Sequence, residues 1–281
     1  MKISQFCLRR QCGTYPTYSK RLTLATLMRI FRSFIPALAF LALYNSSCFA
    51  QNANTYDRRG IFAELGFGLG EPIGQLSNRF GFHQSAGLGL GYHPSHGIEW
   101  GFRYQFIFGK DVREDVLAPY RTDLGQLIGV DNFLTDVLLR ERMTAAYAYA
   151  GWIWPLGSQQ RYRHGLKFNT GAGFMEHHIR IQDDARAAVQ FSGDFGRGLD
   201  RLANGFCLQG LVGYELKSKN GKVNLYTGFE ILYGFTQARR KWNYDTANSE
   251  LGIGRQDIIL QWKLGWYLPF FIDKHAESLE Y

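Results

Sequence analysis

An alternation of large apolar residues with glycine or polar residues recurs along this chain after Gly60. Its clearest instance runs from Ile98 to Gly109, where aromatic and aliphatic side chains take every second position and Glu99 and Arg103 stand between them. Successive side chains of a β-strand point to opposite faces, so this segment has one strongly apolar face and one face that is charged or bare.

Eight segments share the pattern, at about 60–70, 83–93, 97–109, 143–154, 165–180, 204–217, 223–236 and 256–270. Most of them reach the 9–11 residues that a tilted strand needs to cross a bilayer. A closed sheet pairs its backbone polar groups without exposing an edge to lipid. The sequence therefore predicts an all-β fold, an up-and-down antiparallel transmembrane β-barrel of about eight strands.

The connections between these segments alternate in length. Short ones are predicted at 94–97, 155–164 and 218–221, and long polar ones at 71–82, 110–142, 181–203 and 237–255. Bacterial outer-membrane barrels have short periplasmic turns, longer outer loops and both chain ends on the periplasmic side. The alternation favours that topology and predicts a location in the outer membrane of a Gram-negative bacterium.

The first 50 residues hold seven basic side chains and no acidic ones, which leaves 25 basic against 24 acidic residues in the remainder. Without the leader, the basic excess that would favour nucleic acid as a partner disappears. The apolar run Phe34–Leu43 predicts a signal peptide cleaved after Ala50, with Met28 as an alternative start and Cys48 as a less favoured lipidation site.

The leader, a short N-terminal segment, the barrel and a periplasmic tail are thus predicted at 1–50, 51–59, 60–271 and 272–281. Only Cys207 remains in the predicted mature chain, so no intrachain disulfide is expected.

A soluble lipocalin-like barrel, apolar inside and polar outside, would show the same alternation. Aromatic residues near the strand ends favour lipid on the outside, because such residues suit membrane interfaces. They are Tyr92, Trp100, Trp152, Trp154, Trp262, Trp266 and Tyr267.

The opposite face carries a predicted interior ion network of Glu64, Glu99, Arg103, Lys167, Glu215, Glu230, Asp257 and Lys263. An eight-stranded barrel is only wide enough for its own side chains, so these charges are expected to pair with one another. A proton or solute pathway is the less favoured interpretation.

Two outer-loop segments are predicted to contact lipid or a partner. Arg239, Arg240, Lys241 and Trp242 follow the seventh strand, where arginines suit lipopolysaccharide phosphates and tryptophan suits the interface. The stretch 123–142 spaces its apolar residues at helix-like intervals, which predicts an amphipathic helix on the rim or a docking surface. These residues are Leu124, Leu127, Ile128, Leu134, Val137 and Leu138.

Two histidine motifs are candidate chemical sites. His177 and His178 face opposite ways on a regular strand, so a solvated loop stem is predicted there rather than a metal site. The run from His93 to His96 offers a histidine and the Ser95 hydroxyl, but it falls in a predicted periplasmic turn. No catalytic residue, cofactor or metal is predicted.

The architecture over about residues 56–271 resembles the small outer-membrane β-barrels of the OmpA and OmpX type. The loop phrases Gly193-Asp194-Phe195 and Gly234-Phe235-Thr236-Gln237 are similar to outer-membrane proteins of Bacteroidota. That resemblance implies an association with type IX secretion or gliding, or a role that is not known.

The predicted function is a non-enzymatic outer-membrane barrel with a structural or interaction role, whose loops contact lipopolysaccharide or another envelope or secretion protein. A lipid-modifying enzyme and a soluble periplasmic ligand carrier are the alternatives.

Overall fold

A computed structural model of the chain describes residues 60–94, 97–158, 162–184, 186–218 and 224–271. The predicted leader, the segment 51–59 and the tail 272–281 lie outside the described residues, as do Ser95 and His96. Among the residues described, no helix combines the length and apolar character needed to cross a membrane.

Eight long strands form a closed antiparallel barrel in which each strand pairs with its neighbours along the chain and the last pairs with the first. Its strands are β1 (Gly60–Gly74), β2 (His83–His93), β3 (Ile98–Gly109), β6 (Leu138–Ser158), β7 (Tyr162–Gln182), β8 (Ala203–Ser218), β9 (Asn224–Ala238) and β10 (Gly254–Phe271). The predicted fold class and strand number are confirmed.

The remaining regular structure lies in the long loops. Two short strands, β4 (Leu127–Ile128) and β5 (Leu134–Thr135), pair with each other outside the barrel. The loop before β8 contains α1 (Gly193–Arg197). Single 3-10 turns occur at Leu76–Asn78, Ala118–Tyr120 and Val189–Phe191.

The connection predicted at 155–164 is too long, because β6 continues to Ser158 and β7 begins at Tyr162. The pairing of the two strands shifts between Pro155 and Gly157. Proline has no N–H to donate to a neighbouring strand, so its presence in the sequence indicates a turn. In the structure the strand continues through Pro155, and the pairing is irregular at that point.

The outside of the barrel is apolar, and charged side chains are buried in the middle of its interior. Trp100 and Phe102 are about half exposed, whereas Arg103, the residue next to Phe102, is only 1% exposed. The lipocalin-like arrangement of faces is therefore wrong for this chain.

Tyr267, predicted on the outward aromatic face, points inward and stacks on Tyr226 with ring centroids 5.2 Å apart. Its neighbour Trp266 takes the outward position, and adjacent residues of a regular strand cannot share a face. Gly265 makes room for this stack, since a Cβ at that position would overlap the Tyr226 ring.

Candidate functional site

The middle of the barrel holds an ion network centred on Arg103 of β3. Its guanidinium lies 2.6 Å from a carboxylate oxygen of Glu64 and 3.6 Å from one of Glu230. Lys263 reaches the second oxygen of Glu230 at 3.0 Å, and the Tyr147 hydroxyl donates to Glu230 at 2.7 Å. Five strands thus supply one fully buried cluster.

A second network lies toward the short turns. The Lys167 ammonium is bonded to Glu99 and lies 3.3 Å from Glu215. Lys217 contacts Glu215 at 2.8 Å and the imidazole of His93 at 2.7 Å. The histidine of the predicted His93–His96 motif is therefore engaged inside the end of the barrel.

The two networks combine four basic with four acidic side chains, namely Arg103, Lys167, Lys217 and Lys263 with Glu64, Glu99, Glu215 and Glu230. Seven of the eight are no more than 2% exposed. A channel as wide as a water molecule would expose the side chains that line it. The described interior is therefore filled and electrically balanced at this depth.

Toward the long loops the interior becomes apolar. Its lining includes Ile107, Met143, Met175, Cys207, Leu232 and Ile259. Two buried polar groups interrupt this zone. His177 bonds to Asp257 at 2.9 Å and the Thr236 hydroxyl bonds to the same carboxylate, while His83 lies 3.9 Å from Glu141.

The prediction that His177 belongs to a solvated loop stem is wrong, since the side chain is fully buried beside the Phe80 ring. His178 faces the other way and is partly exposed. β7 continues four residues beyond His178, so His177 lies within the strand and its side chain points into the barrel interior.

The four long loops pack together over this end of the barrel. We call their packed part, residues 75–82, 110–137, 186–202 and 239–253, the loop cap. Its buried apolar residues join the apolar zone of the interior and are Leu76, Phe80, Val116, Leu117, Leu127, Val137, Ala188, Phe191 and Leu199. Burial of this many side chains extends the apolar core of the barrel into the loop cap and stabilises the packing of the loops.

A chain of ion pairs takes one residue from each loop of the cap. Arg79 and Arg201 hold the two carboxylate oxygens of Glu114 at 2.6 and 2.7 Å. Arg201 also lies 2.7 Å from Asp245. Burial alone would raise the pKa of Glu114, but the two guanidinium groups outweigh it and hold that pKa below its ordinary value.

The predicted helix over 123–142 is wrong. Leu127 and Ile128 form β4, Leu134 begins β5, and Leu138 begins β6. The gap between Ile128 and Leu134 is a turn in which Asn132 has a positive φ of 61°. Turn-forming residues there interrupt the apparent helical spacing, because glycine and asparagine tolerate left-handed backbone that ends a helix.

The predicted contact residues of this segment divide into two groups. Leu127 and Val137 are buried in the loop cap, whereas Ile128, Leu134 and Leu138 are about half exposed. Val130 and Phe133, at the tip of the β4–β5 hairpin, were not among the predicted contact residues, and Phe133 is 73% exposed. Their position between two short apolar strands was the available clue.

In the second predicted contact segment, Arg239 to Trp242, two of the four side chains bond to other residues of the protein. Arg240 makes two hydrogen bonds to Asp200, at 2.8 and 2.5 Å, which raise its pKa above the ordinary value. Arg239 donates to Asn204, while Lys241 and Trp242 are exposed. Arg240 is therefore neutralised within the loop cap, and only part of the predicted segment faces solvent.

No family model and no curated protein matches the chain. Among solved structures, it is similar to Neisserial surface protein A at 12% identity, with 75% of this chain and 97% of that chain covered and a TM-score of 0.39.

The attachment invasion locus protein Ail of Yersinia pestis, in complex with the heparin analogue sucrose octasulfate, gives 10% identity, 75% and 99% coverage, and a TM-score of 0.35. A major outer membrane protein of Thermus thermophilus gives 9% identity, 74% and 98% coverage, and a TM-score of 0.36. Likenesses this distant say nothing about the role of the chain, and its fold is established by the strand pairing.

Proposed function

We propose that the chain is an integral outer-membrane β-barrel with a filled interior, which acts through its loop cap rather than by conducting solutes or by catalysis. The observation that supports this most directly is the distribution of polarity. Charged side chains are buried and paired inside the barrel, while large apolar residues cover its outside. A barrel in water would expose that outer surface at a large free-energy cost, whereas lipid solvates it.

The proposal is tested by the gel mobility of the full chain from washed outer membranes, compared before and after boiling in detergent. A closed, inserted barrel stays compact until it is boiled, so the unboiled sample is expected to migrate differently. Recovery in the soluble periplasmic fraction with no mobility difference would contradict the proposal.

We also propose that the β4–β5 hairpin contacts another envelope protein on the outer side of the membrane. Support comes from the exposed apolar residues Ile128, Val130 and Phe133 on a hairpin anchored to the neighbouring loop. That anchor consists of hydrogen bonds from Val130 to Ala187 and from Gln190 to Ile128. Large apolar side chains held rigidly at a protein surface are typical of interaction sites.

A Val130→Cys variant tests the exposure of this hairpin, because Cys207, the remaining cysteine among the described residues, is buried. A membrane-impermeant thiol reagent is expected to label the variant on intact cells. Labelling only after lysis would place the loop cap on the inner side.

A photo-crosslinker at Phe133 should then capture a partner in living cells. A variant with both Ile128→Ser and Leu134→Ser should abolish the crosslinked product.

A further inference from the structure

Three arginines lie together on the outward face of the barrel, where β6 and β7 approach the loop cap. Arg140 of β6 stands directly opposite Arg180 of β7, and Arg142 stands opposite His178. Alternation along β6 puts Arg140 and Arg142 on one face, away from the buried Glu141 between them. Like charges at opposed positions of neighbouring strands destabilise a sheet unless an anion neutralises them.

No described carboxylate contacts the three arginines directly, and Asp184 is linked to Arg140 only through the side chain of Gln182. Arg140 donates to the amide oxygen of Gln182 at 3.1 Å, and Arg142 donates to a backbone carbonyl at 2.9 Å. Neither these two arginines nor Arg180 forms an ion pair with any described carboxylate. By contrast, the buried arginines Arg79, Arg103 and Arg201 have acidic partners, and the partly buried Arg240 has one in Asp200.

The height of the cluster on the barrel matches the edge of a membrane. Trp152 and Arg142 are both on the outward face of β6 and are ten residues apart in sequence. At roughly 3.3 Å per residue and a strand tilt of about 40°, the rise between them is about 25 Å, the height of a lipid-facing apolar band. The Arg142 guanidinium lies 5.7 Å from the centre of the outward Phe106 ring, at the upper boundary of the apolar surface.

On the side of the arginines away from the loop cap, the outward faces of β6 and β7 carry several small side chains. Alanines occupy its centre at 146, 148 and 150 on β6 and at 172 on β7. Larger rings stand beside them, with Phe102 on β3 and Phe174 on β7 both about half exposed. The surface therefore offers a shallow depression that leads from the cluster into the apolar band.

We propose that Arg140, Arg142 and Arg180 bind the phosphate groups of a phosphorylated lipid headgroup in the outer leaflet, with an acyl chain lying along the alanine depression. Guanidinium groups bind phosphate through paired, charge-assisted hydrogen bonds. A lipid phosphate supplies the anion that the opposed arginines lack, at the depth where headgroups lie. This inference depends on the proposed location of the barrel in an outer membrane.

The test measures lipid binding to the full chain in detergent by native mass spectrometry. The probes are a diphosphorylated lipid A glycolipid and the same glycolipid without its phosphates. The variant R140Q/R142Q/R180Q removes the cluster, and R113Q/R186Q/R197Q removes three exposed basic side chains elsewhere on the loop cap. We expect the first variant to bind the phosphorylated glycolipid about tenfold more weakly than wild type, and the second to stay within about twofold.

Equal binding by the cluster variant and wild type would overturn the proposal, as would an equal loss in the control variant. Equal binding of the dephosphorylated glycolipid would show that acyl chains alone are recognised, against the proposal. Displacement of the glycolipid by an equal concentration of inorganic phosphate would identify a simple anion site and also overturn it. The gel-mobility difference is measured on every sample, so a failure of barrel insertion is distinguished from a failure of lipid binding.

Discussion

At the scale of single residues, each buried charge of the barrel interior depends on an oppositely charged neighbour to offset its loss of hydration. Arg103 lies between Glu64 and Glu230, and Lys263 completes the compensation of Glu230. An isolated charge in such a place would lose its hydration without recovering the cost. The network therefore stabilises one specific packing of the barrel interior.

Replacement of Arg103 by methionine should lower the free energy of unfolding by about 3–5 kcal/mol, because it leaves Glu64 and Glu230 without their main partner. The urea midpoint of tryptophan fluorescence, measured on the refolded protein in detergent, reports the change. Arg197→Met is the control, since that side chain is 69% exposed in its pair with Asp194 and should shift the midpoint little. Equal midpoints for the two variants would show that the buried network is not stabilising.

Glu114 gives the loop cap a dependence on pH. Its pKa in the folded protein lies below the ordinary carboxyl value of 4.5, so its contribution to stability is present above pH 4.5. That contribution is lost as the pH falls through the lower folded value. Hydrogen exchange of residues 110–137, corrected for intrinsic rates, should therefore show weaker protection in acid.

Glu114→Gln should weaken this protection at neutral pH and remove most of its acid dependence. The matched control is Glu250→Gln, which changes the same group in another loop of the cap. If Glu114→Gln keeps the acid dependence of the wild type, other carboxylates hold the loop cap together.

At the scale of elements, the β4–β5 hairpin has one buried side and one exposed side. Leu127 is fully buried among the loops, while Leu134 on the paired strand is about half exposed. The hairpin is therefore part of the loop cap on one side and available to a partner on the other. Its two strands are too short to be stable without that packing.

Leu127→Ala and Leu134→Ala make a matched pair that separates these two roles. Replacement of the buried Leu127 should lower the stability of the loop cap by about 2–5 kcal/mol, and replacement of the exposed Leu134 should lower it much less. Limited proteolysis of the loops in the inserted protein measures the difference. Similar cleavage rates in both variants would show that the hairpin does not pack as described.

At the scale of the whole molecule, the barrel has three zones along its axis. Balanced charges fill the part toward the short turns, an apolar layer follows, and the loop cap covers the end of that layer. Each zone blocks the passage of solutes in a different way, by ion pairing, by apolar packing or by covering loops.

The filled interior predicts that the inserted protein conducts no steady ion current across a planar bilayer. The measurement compares current traces before and after insertion of the full chain, with gel mobility confirming that the barrel is folded. An open porin inserted under the same conditions is the positive control. Long-lived conductance steps from the folded chain would contradict the filled interior.

The strand number, the alternation of long and short connections and the inward positions of the charged residues could all be predicted from the sequence. These follow from local periodicity, since each strand must repeat its two-residue pattern to keep one face apolar. The same local rule placed all eight predicted network residues in the interior, including Glu99 and Lys263. The prediction for Tyr267 is wrong, because tyrosine is common at membrane interfaces but alternation with the outward Trp266 places this side chain inside the barrel.

The conformation of the loops and the pairing of the charges could not be predicted from the sequence. The segment Gly234–Gln237 lies within β9 rather than in a loop, and the apolar residues of 123–142 form a hairpin and a strand end rather than a helix. The partners of Glu114 come from residues 35 and 87 positions away in sequence. Such contacts depend on barrel closure, which brings distant loops together, and no local pattern encodes them.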